Sequence, residues 1–111
     1  MTLPDKLSKE IDELWCKNLS LVYSRIETIE DAINGLRNDR LSRDLRAEAA
    51  RQAHNLAGVL GTFGLQGGSE AAATIEQILD REFPFDRDDA LALDGYLAQL
   101  RKEVDGRGKH S

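Results

Sequence analysis

His54 is the residue whose type and surroundings best suit chemistry. It lies in the segment AHNLAGVLGTFG, residues 53–64, which reads as a helix of mostly small side chains. An unprotonated imidazole nitrogen can act as a nucleophile near neutral pH. Glycine in a helix interior is unfavourable by roughly 0.5–1 kcal/mol relative to alanine. Gly58 and Gly61 therefore indicate either close packing against another helix or clearance for a partner that approaches the ring.

The position of His54 in the helical repeat favours an exposed ring. At 100° per residue, its side chain lies about 200° from that of Leu56, which belongs to the apolar stripe. Its neighbours one turn away are Ala50 and Arg51 on one side and Ala57 and Gly58 on the other. We expect the ring to stand on the outer face or flank of the helix, above a surface of small residues.

The elements that must position this histidine are helices, because apolar residues recur every three or four positions along most of the chain. The first helix is predicted from residue 5 to about Asn34, where Asn-Gly resembles a helix end. The second begins at Ser42, which is predicted as the N-cap or a first-turn residue, and runs to residue 62 or 63. The third begins at residue 65 or 69 and ends before Pro84. The fourth begins at the N-cap Asp88 and runs to about residue 104.

The predicted core follows the same stripes. Its residues are Leu7, Ile11, Leu14, Trp15, Leu19, Val22, Ile26, Ile29, Ile33, Leu36, Leu41, Leu45, Ala49, Ala53 or Gln52, Leu56, Leu60, Leu65, Ala72, Ile75, Ile78, Leu79, Leu91, Leu93, Tyr96, Leu97, Leu100 and Val104. Four amphipathic helices with short connections predict an all-α, antiparallel four-helix bundle. We expect one domain over residues 1–104 and a flexible tail at 105–111.

Composition excludes several classes of function. The 111 residues carry a net charge of -5, and a negative net charge does not favour binding to nucleic acid or an anionic membrane. Cys16 is the single cysteine and cannot form an internal disulfide, so we expect a reducing, cytoplasmic location. No apolar run approaches the roughly 20 residues of a membrane span, and no signal-peptide pattern begins the chain.

The residues around His54 resemble the signature of histidine-containing phosphotransfer (HPt) domains. That signature reads Ala-His-x-Leu-Lys-Gly, then a glycine that ends the helix, then a Leu-Glu pair on the next helix. The chain matches it at Ala53, His54, Leu56, Gly58, Gly64 and, as Ile75-Glu76, on the third helix. The four-helix pattern fits the family over essentially the whole chain. The form LAGxLGTFG also resembles the HPt domains found beside receiver domains in bacterial proteins.

The resemblance implies that His54 accepts a phosphoryl group from a phospho-aspartate and passes it to the aspartate of a response-regulator receiver domain. Glu76, 22 residues after His54, would orient the ring through the inner N–H. The family's lysine is replaced here by Ala57, so Arg51 is the nearest candidate for neutralising the phosphoryl charge.

The resemblance also implies the partners, which are receiver domains and an upstream histidine kinase. We expect a receiver to dock on the small-residue surface, whose members are Ala50, Asn55, Ala57, Gly58 and Gly61. No cofactor is expected in this chain, because Mg²⁺ would be held by the receiver. Oligomeric state is left open, with a monomer as the expectation.

Other functions remain as alternatives. A helical interaction domain with an incidental, unphosphorylated histidine is the main one, and the missing lysine and acidic surface favour it. A histidine-kinase dimerisation helix usually carries an acid after the histidine, but Asn55 follows His54, and 111 residues leave no room for an ATPase domain. Metal binding has only His54 and His110 to offer, and no hydrolase triad stands out.

Overall fold

The helical periodicity of the sequence produces four α-helices in the computed structural model, which describes residues 5–81 and 84–108. The helices are α1 (Asp5–Arg37), α2 (Arg43–Thr62), α3 (Gln66–Leu79) and α4 (Arg87–Gly108). Helices adjacent in the chain pack together, and α1 also packs against α4, which closes the ring. Trp15 of α1 lies against Phe63, just after α2, and Arg25 bonds to Gln52, so α1 and α2 run in opposite directions. The predicted all-α antiparallel four-helix bundle is confirmed.

The core consists of the stripes that the four helices turn towards one another. The largest fully buried side chains are Trp15, Val22, Ile26, Ile29, Ile33, Leu56, Leu60, Ile75, Leu79, Leu93, Leu100 and Val104. On α2 the core side includes small residues as well, because Ala49 and Ala53 are completely buried. Small side chains allow neighbouring helices to approach closely, and burial of the larger ones supplies most of the stabilisation.

Local signals fix both ends of α2. Ser42 has extended backbone angles, and its hydroxyl accepts a hydrogen bond from the Leu45 N–H at 3.0 Å, so of the two predicted positions Ser42 occupies the N-cap. At the other end Gly64 adopts φ +79°, where glycine is favoured, and the Leu65 N–H donates to the Leu60 carbonyl at 2.8 Å. This tight turn leads directly into α3.

The ends of α1 and α4 differ from the prediction. α1 continues past Asn34-Gly35 to Arg37, because nothing at Gly35 forces a left-handed conformation; Asp39 adopts it instead, at φ 53°. The N-cap of α4 is Asp86, not Asp88: the Asp86 carboxylate accepts from the Asp89 N–H, and Asp89 accepts from the Asp86 N–H, both at 2.9 Å.

The predicted tail is helical over its first four residues, because α4 runs to Gly108. Asp105 accepts a hydrogen bond from the Tyr23 hydroxyl, which raises the pKa of Tyr23 above its ordinary value. The Arg107 guanidinium lies 5.3 Å from the centre of the Trp15 ring. Residues 109–111 lie outside the described ranges.

Three predicted core leucines are exposed. Leu7 and Leu14 lie on α1, and Leu91 lies on α4. Leu7 lies where α1 extends past the end of α2. Leu14 lies one position off the buried line of Trp15 and Val22, and Leu91 lies one position off the buried line of Ala90, Leu93 and Leu97. Periodicity identifies an apolar face and does not show where the neighbouring helix ends.

Candidate functional site

His54 lies on the solvent side of α2. The residues on either side of it in the core stripe, Ala53 and Leu56, are fully buried, and they fix the rotation of the helix about its axis. The His54 side chain is 70% exposed. The outward position predicted from the helical repeat is therefore confirmed.

Glu76 of α3 lies beside the inner nitrogen of the ring. Its two carboxylate oxygens are 3.1 and 3.2 Å from His54 Nδ1. Ile75, the preceding residue, is completely buried and anchors α3 at this level. A carboxylate at this distance accepts a hydrogen bond from Nδ1–H, which leaves the lone pair on Nε2 of a mostly exposed ring. The arrangement can present a nucleophilic nitrogen to a partner.

Arg51 lies on the same helix but is engaged elsewhere. Its guanidinium is 3.2 Å from the Glu48 carboxylate, which also accepts a hydrogen bond from Gln52. Because the Arg51 side chain is 69% exposed, this ion pair is weak and the guanidinium can turn to another anion at little cost.

The residues expected to form a docking surface differ in exposure. Gly58 is exposed, and a Cβ placed on it would have nothing within 4 Å. Asn55 and Ala57 are half-buried. Ala50 is only 5% exposed, so it forms a floor beside the ring rather than an accessible contact. Of this set, Gly58 gives the clearest opening beside His54.

Gly61 is explained by helix packing. A Cβ on Gly61 would lie 3.3 Å from the Ser69 hydroxyl oxygen. That hydroxyl donates a hydrogen bond of 2.7 Å to the Ala57 carbonyl, which ties α3 to α2 next to the site. Of the two explanations for the glycines, clearance therefore fits Gly58 and close packing fits Gly61.

Two charged residues near the ring were missed by sequence reasoning. Arg46 of α2 and Asp80, the C-cap residue after α3, line the same shallow depression as His54, Glu76 and Ala50. Arg46 donates a hydrogen bond of 2.7 Å to the Leu79 carbonyl at the end of α3. The available signal was spacing: Arg46 is two helical turns before His54, and Asp80 is one turn after Glu76.

Neither a metal site nor a membrane span is present in the described part of the chain. No group of three or more His, Cys, Asp or Glu residues in it could hold a metal ion. No helix in residues 5–81 and 84–108 has the length and apolar character needed to cross a bilayer. His110, the other histidine weighed as a ligand, lies outside the described residues.

Comparison with protein-family models identifies a family. A protein-family model described as the Hpt domain matches residues 19–105, which is most of the chain and includes all of α2 and α3. No curated protein and no solved structure matches the chain.

Proposed function

This chain belongs to the Hpt domain family, and we propose that His54 is its phosphoacceptor. The family implies a histidine phosphotransfer role in two-component phosphorelays, as a carrier module rather than an enzyme. The observation that carries the assignment to His54 is its combination of an exposed ring with Glu76 carboxylate oxygens 3.1–3.2 Å from Nδ1.

The proposed transfer begins from an aspartyl phosphate of a receiver domain. The Nε2 lone pair of His54 attacks phosphorus, an N–P bond forms, and the P–O bond to the aspartate breaks. The released aspartate keeps the electron pair as a carboxylate. The proton on Nδ1 stays in the hydrogen bond to Glu76, whose negative charge balances the positive charge that the ring acquires. Attack by a second receiver's aspartate reverses these bond changes and returns neutral imidazole.

Few cationic side chains of this chain lie near the position of a phosphoryl group on His54. Ala57 stands where the family signature has lysine, so we assign the role to Arg51, one turn before His54 on α2. The Arg51 guanidinium can leave its weak ion pair with Glu48 and bind a phosphoryl oxygen, which is a stronger acceptor. Mg²⁺ would be bound by the receiver's own carboxylates, so this chain supplies alignment and the nucleophile.

The proposed docking face is the outer side of α2 around Gly58 and Asn55. Open space above Gly58 leaves room for a receiver to approach the ring from this side of α2. Histidine kinases and receivers would be the donor and acceptor partners. A cytoplasmic location is expected for such a relay and is consistent with Cys16 being a free thiol.

The test is phosphorylation of the wild-type chain and two matched variants, His54→Gln and His110→Gln, by phosphoramidate and by a phosphorylated receiver domain. We expect the mass of one phosphoryl group on the wild type and on His110→Gln, and none on His54→Gln. The label should be acid-labile and alkali-stable, as expected for an N–P bond.

Labelling that persists in His54→Gln would refute the assignment. An absence of label on all three proteins with several receivers would favour the alternative of an unphosphorylated interaction domain. Binding of a receiver that His54→Gln leaves unchanged, without any transfer, would support that alternative directly.

A further inference from the structure

Three exposed leucines form a regular stripe along the first half of α1. Leu7, Leu14 and Leu21 are 42%, 52% and 48% exposed. They are seven residues apart, and a step of seven residues turns an α-helix by only about 20°, so all three lie on one face. Scattered exposed leucines are common on protein surfaces, but a repeat of this regularity is typical of a helix that packs against another helix.

The stripe lies on a side of α1 that the bundle leaves uncovered, and its first part lies beyond the end of α2. Trp15 packs against Phe63, the residue that follows the end of α2. Residues 5–14 therefore extend about 15 Å past the end of α2. The family match begins at residue 19, so residues 5–14 lie before the matched region.

Two residues between the leucines complete a set of contact positions like that of a two-helix coiled coil, which we call the seam. Ile11 and Asn18 lie four positions after Leu7 and Leu14 and are half-buried. Residues 7, 11, 14, 18 and 21 thus alternate steps of four and three, which is the spacing of the contact positions in a coiled coil.

Charges beside the stripe favour a second copy of the same segment in antiparallel orientation. Glu10 and Lys17 are both exposed, and within residues 5–81 and 84–108 neither has an ion-pair partner. In an antiparallel pair centred on Leu14, Glu10 of each copy lies near Lys17 of the other, and Leu7 meets Leu21. A parallel pair would bring Glu10 level with Glu10. Opposite charges flanking a seam select the orientation of the pair.

We propose that residues 5–21 of α1 bind the same segment of a second copy, forming a weak antiparallel homodimer. The contact is about 25 Å long. A single pair of helices of that length buries less than the roughly 1,200–2,000 Å² of a stable interface, so we expect a dissociation constant on the order of 100 µM. This replaces the expectation of a monomer. His54 is on the α3 side of α2, where it contacts Glu76, and the pairing is expected to leave its ring open.

The experiment is sedimentation equilibrium of the full chain from about 10 µM to about 1 mM. The wild-type mass should rise from 12.4 kDa towards twice that value. Leu14→Glu should weaken association at least tenfold. Leu91→Glu is the matched control, because Leu91 is 63% exposed but lies on α4 outside the stripe, and it should associate like the wild type.

A charge exchange tests the orientation without disturbing the apolar residues. Glu10→Lys should weaken association, and adding Lys17→Glu to that variant should restore it. Circular dichroism will show whether Leu14→Glu alters the fold. If it does, the two charge variants alone test whether the segments associate.

A wild-type mass of 12.4 kDa at every concentration would overturn the proposal, as would a double exchange that fails to restore association. If Leu14→Glu slows transfer from a receiver while the mass stays monomeric, the stripe belongs to the receiver-docking surface, and the homodimer is wrong.

Discussion

Replacement of Glu76 tests whether the site depends on the hydrogen bond to His54. The bond joins Nδ1 to a carboxylate at 3.1–3.2 Å, and the Glu76 side chain is about one quarter exposed. A hydrogen bond in such a half-exposed setting contributes about 1 kcal/mol net. Since about 1.4 kcal/mol corresponds to a factor of ten in rate, we expect Glu76→Ala to slow phosphorylation of His54 about fivefold. Glu76→Gln keeps an acceptor oxygen and loses only the charge, so a loss of about twofold is expected.

The assay is single-turnover phosphorylation by phosphoramidate, followed by intact mass. A small donor is essential because it needs no docking surface, so a change in rate reports on the ring alone. Gln77→Ala is the control: it removes an exposed side chain from the next position of α3, away from the ring, and should react at the wild-type rate. The reasoning fails if Glu76→Ala reacts as fast as the wild type, or if Gln77→Ala is equally slow.

Three further predictions concern charge, access and stability. Ala57→Lys places a cation one turn from His54 and should extend the lifetime of the phosphoryl group about two- to fivefold, measured by its decay after removal of the donor. Gly58→Arg fills the open space beside the ring and should block transfer from a receiver while phosphoramidate still labels the protein; equal loss with both donors would contradict the docking surface. The Asp86 backbone N–H lowers the pKa of the Asp89 carboxyl below its ordinary value, so its contribution to stability is present above about pH 4 and lost as the pH falls through the lowered pKa. Asp89→Asn keeps an acceptor oxygen and loses the charge, so it should reduce the free energy of unfolding by about 0.5 kcal/mol at neutral pH and have no charge-dependent effect in strong acid; urea unfolding at both pH values measures this.

The architecture was predictable because each helix carries its own apolar stripe and its own local signals. Ser42 and Gly64 mark the ends of α2, because serine is favoured at an N-cap and glycine at a positive φ, and both preferences can be recognised in a sequence. Asp86 was missed because several aspartates lie together, and only the reciprocal bonds with Asp89 distinguish the true N-cap. Leu7 was misplaced because burial depends on where a neighbouring helix ends.

The candidate site was predictable in part, and from two kinds of information. The outward position of His54 follows from helical geometry alone. The proximity of Glu76 came from the family signature, since periodicity does not give the alignment between two helices. That alignment also brings Arg46 and Asp80 into the depression that His54 lines, and Ser69 against Ala57. Spacing within each helix places Arg46 on the face of His54 and Asp80 on the face of Glu76, but it does not bring the two faces together. The same limitation left the role of Gly61 open until the structure showed Ser69 next to it.

The exposure of the His54 ring has a consequence for how long a phosphoryl group could be held. Enzymes that protect reactive intermediates close over them and exclude water. The His54 side chain is 70% exposed on a rigid helix, and no loop within the described residues folds over it. A phosphoryl group there would meet bulk water whenever a partner is absent, so little in this chain beyond Arg51 would slow its hydrolysis. The protein would then hold the phosphoryl group only briefly. The concentration of the acceptor would determine what fraction of the phosphoryl groups is transferred before they are hydrolysed.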